Sequence, residues 1–120
     1  MSAAKYSFVI EQGATFNLNL QYLDGNDDYV DLSQYSGKMQ LRPTVESTTA
    51  YITLSSSLQP DNTGINFPQP TSGSINIYIS AVSSSLLDFD TAVYDLELYS
   101  GSFVARLLEG NVKLSKNVTR

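Results

Sequence analysis

Apolar and polar residues alternate along several short stretches of this chain, most clearly at 14–23, 74–80 and 92–99. In the second stretch, three isoleucines alternate with Asn76 and Tyr78. A period of two residues places one side of an extended strand in a core and the other side in solvent. These stretches therefore predict strands of antiparallel sheets that each have one wet face.

Weaker patterns predict further short strands at Tyr6–Glu11, Tyr29–Val30, Lys38–Arg42 and Tyr51–Leu54. Clusters of Gly, Pro, Ser, Asn and Asp separate these strands, as is typical of turns. The segment Val82–Asp90 is long enough for a single helical turn only. The pattern as a whole predicts almost no helix.

The C-terminal stretch predicts a three-stranded meander. Ala92–Tyr99 meets a Ser-Gly turn signal and returns as Phe103–Leu108, and a second turn at Glu109-Gly110-Asn111 leads to Val112–Leu114. Glycine favours such turns because it adopts positive φ without steric cost. In total, about seven to nine short strands predict an all-β, immunoglobulin-like antiparallel β-sandwich, formed as a single domain over residues 1–120.

Composition removes several classes of function. The chain has no cysteine and no histidine, so it lacks disulfides, thiolate ligands, the commonest general base and the commonest zinc ligand. The serine-rich segments have no evident base to activate a hydroxyl. We therefore expect no catalysis, no cofactor and no metal centre.

Charge and hydropathy limit the kinds of partner that this protein is expected to bind. The formal net charge is −5 and the seven basic residues are scattered, which argues against nucleic acid. No apolar run approaches the roughly 18 residues of a membrane-spanning helix, and the first residues lack the apolar core of a signal peptide. The sequence therefore predicts a protein made in a cytoplasm, with no membrane partner.

Two polar loops are candidates for local chemistry. Asp24, Asp27, Asp28 and Asp31 share one loop, and Asp61–Gly64 is a second polar turn. Carboxylate oxygens suit calcium, but the first loop lacks the spacing of an EF-hand. A structural turn is the interpretation that we favour, with a calcium site as the alternative.

Eight tyrosines and five phenylalanines predict contact surface as well as core. Four aromatic residues fit core positions in the alternating pattern: Phe8, Phe16, Tyr22 and Tyr94. Four tyrosines are harder to place inside and are the candidate interface residues: Tyr29, Tyr35, Tyr78 and Tyr99.

Two sets of motifs resemble a family of small all-β structural proteins of tailed bacteriophages and prophages. The first set comprises Gln12-Gly13-Ala14-Thr15-Phe16, Val30-Asp31-Leu32-Ser33-Gln34-Tyr35 and Met39-Gln40-Leu41-Arg42-Pro43. The second set comprises Val93-Tyr94-Asp95-Leu96-Glu97-Leu98, Val104-Ala105-Arg106-Leu107-Leu108-Glu109-Gly110 and Val118-Thr119-Arg120. The opening is also similar to the N-terminal domain of baseplate upper proteins.

The resemblance implies a virion structural protein that acts by protein–protein contact, assembled in the bacterial host cytoplasm. Its implied partners are other virion proteins (tail hub, sheath, fibre or capsid), and it implies a symmetric homo-oligomer in the particle. Many such chains continue into a receptor-binding region, whereas this sequence ends at Arg120, which argues against receptor binding and favours an adaptor, a connector or a decoration protein. Among these we favour a tail, baseplate or fibre-attachment adaptor. The alternatives are a capsid decoration protein and a carbohydrate-binding module.

Several residues of these motifs have a structural interpretation. Asp31 and Tyr35 are expected to form a corner where the chain crosses between sheets, with Tyr35 filling it. Arg42 and Asp95 are expected to pair across the two sheets, and Gly110 to allow a bend between the last two strands. The remaining motif positions in the second set are Tyr94 and Arg106.

Overall fold

A computed structural model describes residues 4–118, and these residues form nine strands, one short helix and one 3-10 turn. The helix α1 spans Ala81–Ser85 and the 3-10 turn spans Pro70–Ser72. The strands are β1 (Ala4–Lys5), β2 (Phe8–Glu11), β3 (Phe16–Gln21), β4 (Ser36–Arg42), β5 (Ile52–Ser55), β6 (Gly64–Asn66), β7 (Ser74–Ile79), β8 (Thr91–Ser100) and β9 (Phe103–Ser115).

The strands form two sheets that pack into a sandwich. The larger sheet has the order β1-β9-β8-β4-β5, with β2 also paired to β9, and the smaller sheet has the order β3-β7-β6. The run β9-β8-β4-β5 corresponds to strands G-F-C-C′ of an immunoglobulin domain, and β3-β7-β6 corresponds to B-E-D. The predicted all-β, immunoglobulin-like sandwich is therefore confirmed, and one cluster of buried side chains joins the two sheets.

The larger sheet is mixed, whereas the sequence pattern predicted antiparallel pairing throughout. Both β1 and β2 run parallel to β9, with Ala4 opposite Leu108 and Phe8 opposite Val112. Alternation reports which face of a strand is buried but not the direction of its neighbour. The N-terminal strands thus belong to the larger sheet, and β3 is an edge strand of the smaller sheet.

The predicted C-terminal meander is wrong, because β9 continues without a turn from Phe103 to Ser115. Gly110 lies inside β9, directly opposite Tyr94 of β8. A Cβ at position 110 would collide with the backbone carbonyl of Tyr6. Gly110 is therefore needed for the close approach of the N-terminal segment and not for a bend.

The hairpin between β8 and β9 is confirmed, and it contains one irregularity. Gly101 adopts a φ of 58° in its two-residue turn. Leu96 lies opposite Leu108 and Glu97 lies opposite Arg106, so Leu107 is the extra residue of a β-bulge. Bulges increase local twist, which directs the tip of the hairpin away from the plane of the sheet.

Two other short elements differ from the prediction. The expected Tyr29–Val30 strand is only an isolated bridge between Leu23 and Tyr29. Strand β6 was not predicted, because its three residues lie within a stretch of turn-forming residues. The single helical turn is confirmed as α1, and the hydroxyl of Ser80 caps it by accepting a hydrogen bond from the Ser83 N–H at 3.0 Å.

The core is formed by the inward-facing residues of both sheets. Ile75, Ile77 and Ile79 of β7 are fully buried, as the alternation predicted. Leu18 and Leu20 of β3 face the same core but are only partly buried. The difference follows from position, because β7 is the central strand of the smaller sheet and β3 is at its edge.

Candidate interaction surface

One end of the sandwich brings together the loop 22–35 and the tip of the β8–β9 hairpin. The loop connects the two sheets and ends at Ser36, which lies opposite Tyr99 near the end of β8. Tyr35 consequently contacts Phe103, with ring centroids 6.3 Å apart and ring planes 86° apart. We call this surface the loop end, defined by Tyr29, Tyr35, Tyr99, Phe103 and Val104.

The loop end exposes a large apolar area. Tyr29 is 57% exposed, Phe103 54% and Val104 57%. Val104 pairs with Tyr99 and shares the outer face of the larger sheet with it, whereas Phe103 points to the opposite face. Aromatic and aliphatic side chains exposed together in this way are typical of protein-binding surfaces.

The same end is acidic. The loop 22–35 contains four aspartates and no lysine or arginine. Asp24 accepts hydrogen bonds from the backbone N–H groups of Asn26 and Asp28, at 2.8 and 3.1 Å. The hydroxyl and N–H of Ser33 donate to Asp31 and hold the pKa of that carboxyl below its usual value. The loop end is therefore apolar with a negative border.

Two of the aspartates of this loop are engaged in local turns. Within residues 4–118, no group of three or more acidic side chains converges in a way that could hold a metal ion. Asp24 and Asp31 each use one carboxylate oxygen to accept hydrogen bonds from their own loop. The structural interpretation of the loop, as a sequence of local turns, accounts for both residues.

Three of the four candidate interface tyrosines lie at the loop end: Tyr29, Tyr35 and Tyr99. Tyr78 does not, since it lies opposite Asn17 on the outer face of the smaller sheet. The sequence reasoning missed Phe103 and Val104, which it assigned only to a strand. The available signal was their position directly after a tight turn. The first residues of a strand that follows a turn lie at the end of the sheet, away from the centre of the core.

Asp31 and Tyr35 lie where the sequence predicted a corner. The loop that holds them runs from β3 in the smaller sheet to β4 in the larger one. The N–H of Leu32 donates to the carbonyl of Pro70 at 2.9 Å, and Leu32 is only 1% exposed. Tyr35 is half-buried against the core. The buried residue that anchors this corner is thus Leu32, and Tyr35 packs beside it.

The predicted pair between Arg42 and Asp95 does not form. Both residues lie in the larger sheet, and Arg42 donates instead to Gln40 at 2.7 Å and to the carbonyl of Ser47. Asp95 pairs with Arg106 at 3.3 Å on the outer face of the β8–β9 hairpin. The pair is exposed to solvent, so its contribution to stability is small.

Tyr94 and Gly110 together form the docking position of the N-terminal segment. The Tyr94 hydroxyl donates to the carbonyl of Tyr6 at 2.6 Å, beside the position where Gly110 leaves room for that carbonyl. Phe8 packs edge-on to the Tyr94 ring at 4.9 Å and stacks on Phe16 at 5.1 Å. Two motif residues that are opposite each other in β8 and β9 thus hold β1 and β2 to β9.

Tyr94→Phe should lower the free energy of unfolding by about 1 kcal/mol, because the carbonyl of Tyr6 loses its donor. Burial and the neighbouring Tyr6 raise the pKa of Tyr94 from 10.0 to about 12. Since the folded-state pKa is raised, the contribution of the neutral phenol is complete below pH 10 and is lost as the pH rises through 12. Urea unfolding at pH 7 and at alkaline pH measures both effects.

The alkaline comparison separates the hydroxyl of Tyr94 from other titrations. Wild-type protein should lose more stability than Tyr94→Phe as the pH rises above 10, and Tyr99→Phe, which changes an exposed side chain, should behave as wild type. Equal alkaline losses in all three proteins would contradict the assignment.

A polar cluster near α1 gathers around the carboxylate of Asp61. The hydroxyls of Ser80 and Ser83 donate to the Asp61 carboxylate at 2.5 and 2.7 Å, and the N–H of Thr63 donates to it at 3.0 Å. These hydrogen bonds hold the pKa of Asp61 well below its usual range. An ionised carboxylate with such a low pKa is a poor proton acceptor. The cluster fastens the loop before β6 to the start of α1.

The outer face of the larger sheet carries an open groove of about 720 Å³. Half of its lining residues are charged, and some of these pair with each other, as in Lys5 with Glu109 and Arg106 with Asp95. Small-molecule sites are lined predominantly by apolar residues with a few polar groups, whereas half of the residues lining this groove are charged. The loop end is therefore the stronger candidate.

The fold defines the class of protein as an immunoglobulin-like β-sandwich. Neither the protein-family models nor the curated proteins with which the sequence was compared match this chain. In the part of the chain that the structure covers, no helix is long and apolar enough to cross a membrane.

Proposed function

We propose that this protein is a structural component of a tailed-bacteriophage virion and acts by protein–protein contact rather than by catalysis. Within the virion, we place it as an adaptor of the tail, baseplate or fibre attachment. Motifs that resemble such proteins support the proposal, and four of their residues (Tyr94, Asp95, Arg106 and Gly110) are neighbours in the β8–β9 hairpin.

The observation that carries the proposal is the exposed apolar surface at the loop end. Tyr99, Phe103 and Val104 are displayed on both faces of one hairpin, next to the Tyr29 and Tyr35 loop. Burying aromatic side chains of this kind is the usual source of binding free energy in interfaces. A surface of this composition suits a stable interface with another folded protein.

The charge of the loop end specifies the chemistry of the partner. The loop 22–35 contributes four aspartates to this end of the sandwich and contains no basic residue. The partner surface is therefore expected to be apolar at its centre and basic at its border. Such a border accelerates association and makes the association rate sensitive to salt.

The double substitution Tyr99→Ser and Phe103→Ser should reduce incorporation into the particle by about tenfold or more, because two buried anchors of the contact are lost. The matched control is Val82→Ser with Leu86→Ser, which removes two side chains that are 71% and 80% exposed, near α1 at the other end of the sandwich. Quantitative mass spectrometry of purified virions measures incorporation, and thermal unfolding checks that both variants fold.

Electron cryo-microscopy of the same virions locates the protein. Density in a ring at the tail or baseplate, with the loop end against a neighbour, is the expected result. Density on the capsid lattice would replace the adaptor with a decoration protein. If the protein is absent from every particle, or if the α1 variant is lost as readily as the loop-end variant, the proposal is wrong.

A further inference from the structure

The edge strand β3 is unprotected on one side. In immunoglobulin constant domains the first strand pairs with the strand that corresponds to β3, in the order A-B-E-D. Here β1 and β2 pair with β9 instead, so β3 has β7 as its only neighbour among the described residues. The N-terminal strands therefore leave a six-residue edge, Phe16–Gln21, open to solvent.

The backbone of β3 presents hydrogen-bonding groups along this edge. The N–H of Tyr22 donates to the carbonyl of Gly73 on the β7 side, at 2.8 Å. Because the direction of backbone groups alternates along an antiparallel strand, those of Asn17, Asn19 and Gln21 point to the open side. These three residues pair with no backbone on that side in residues 4–118.

Nothing in the sequence of β3 blocks the addition of another strand. Edge strands are usually protected by a charged side chain, a proline or a bulge. The sequence of β3, FNLNLQ, has no charge and no proline, and its pairing with β7 is regular along all six residues. The side chain of Asn76 also donates to the amide oxygens of Asn17 and Asn19, which ties the outer-face amides of β3 to β7.

The inner face of β3 is incompletely covered. Leu18 and Leu20 face the core but remain partly exposed, whereas their partners on β7, Ile77 and Ile75, are fully buried. A strand added at this edge would bring its own side chains over the two leucines and remove apolar area from water. Among residues 4–118, the edge thus has neither a backbone hydrogen-bonding partner nor a complete apolar cover.

We propose that β3 pairs antiparallel with β3 of a second copy of this chain, with Asn19 on the two-fold axis. In this register Asn17 lies opposite Gln21 of the partner, Leu18 opposite Leu20, and Asn19 opposite Asn19. Asn17, Asn19 and Gln21 have backbone groups that point to the open side. Each of them would exchange a pair of backbone hydrogen bonds with the residue opposite it in the second copy. The two three-stranded sheets then become one continuous sheet.

The sequence of β3 favours a second copy over another occupant because it is complementary to itself about Asn19. Amides meet amides on the outer face, leucines meet leucines on the inner face, and Phe16 meets Tyr22 at either end. The edge is uncharged in a chain of net charge −5, so two copies approach here without opposing carboxylates. A two-fold interface requires this kind of self-complementarity. The dimer is independent of the proposed place in a virion.

Substitutions at Asn19 test both the pairing and its register. Sedimentation of the purified wild-type chain over a range of concentrations should show a reversible dimer. Asn19→Lys alone and Asn19→Glu alone should each be monomeric, because like charges would lie directly opposite each other on the axis. An equimolar mixture of the two variants should form a dimer again, since Lys then faces Glu.

The matched control is Asn66→Lys, which places the same charge on the outer face of β6, the opposite edge of the smaller sheet. This variant should dimerise as wild type does. A wild-type chain that stays monomeric up to about millimolar concentration, the range of the weakest specific contacts, would overturn the proposal. A dimer that persists in Asn19→Lys, or a mixture that fails to dimerise, would overturn it as well.

Discussion

Gly110→Ala is expected to release the N-terminal strands from the sandwich and to lower the free energy of unfolding by about 2 kcal/mol or more. A Cβ at this position would occupy the space of the Tyr6 backbone carbonyl. A backbone atom cannot rotate away as a side chain does, so β1 and β2 must shift along or away from β9. The hydrogen bonds from the Tyr6 N–H to Glu109 and from Tyr94 to Tyr6 would be strained together.

Hydrogen exchange distinguishes a local release from a general loss of stability. In Gly110→Ala the amides of residues 8–11 should exchange much faster than in wild type, while those of β7 should change less. The matched control is Gly25→Ala, because a Cβ at position 25 has no neighbouring atom within 4 Å. If both alanine variants have the same unfolding midpoint, the close approach at Gly110 has no energetic importance.

Ile77→Ala should cost about 2–5 kcal/mol of the free energy of unfolding, because it opens a cavity in the centre of the core. Ile77 is fully buried on the central strand of the smaller sheet. Urea unfolding measures the loss. The loss should be easy to detect, because it is a large fraction of the total free energy of unfolding of a domain of this size.

Leu18→Ala is the matched comparison for Ile77→Ala. Leu18 lies directly opposite Ile77 on β3, but it is partly exposed. In dilute solution, where the chain is monomeric, the alanine substitution at Leu18 should cost clearly less than the one at Ile77. Equal losses would mean that the edge of the smaller sheet is as well covered as its centre.

The sequence predicted most accurately those features that depend on one strand alone. The alternation around Ile75, Ile77 and Ile79 identified a strand and its buried face, and all three residues are fully buried. The hairpin after β8 was also predictable, since a glycine with positive φ is a local requirement. Local pattern and tertiary structure agree at these places.

Features that depend on the neighbours of a strand were not predictable in the same way. Gly110 suggested a turn, since glycine suits both a turn and a close backbone approach, and only the position of Tyr6 decides between them. Arg42 was assigned to Asp95 because both stand in strands, but Arg42 donates to Gln40 and Ser47, and Asp95 pairs with Arg106 from the other neighbouring strand. The parallel direction of β1 and β2 has no signature in their own residues.

The candidate surface was predictable only in part, because its assembly also depends on which segments become neighbours. Tyr29, Tyr35 and Tyr99 were candidate interface residues because the alternating pattern did not place them in the core, yet nothing local indicated that a loop and a hairpin would bring them to one end. Phe103 and Val104 continue an apolar pattern, so only their exposure in the folded hairpin reveals them as surface.

The pairing of the first strands with the last one has a consequence for synthesis of the protein. Ala4 and Phe8 leave the ribosome long before their partners Leu108 and Val112. While the chain is growing, β1 and β2 have no strand to join, and β8 lacks its neighbour on one side. We therefore expect the nascent chain to stay open until its C-terminal strand emerges, and chains that stop before β9 to be recognised by proteases and chaperones as unfinished.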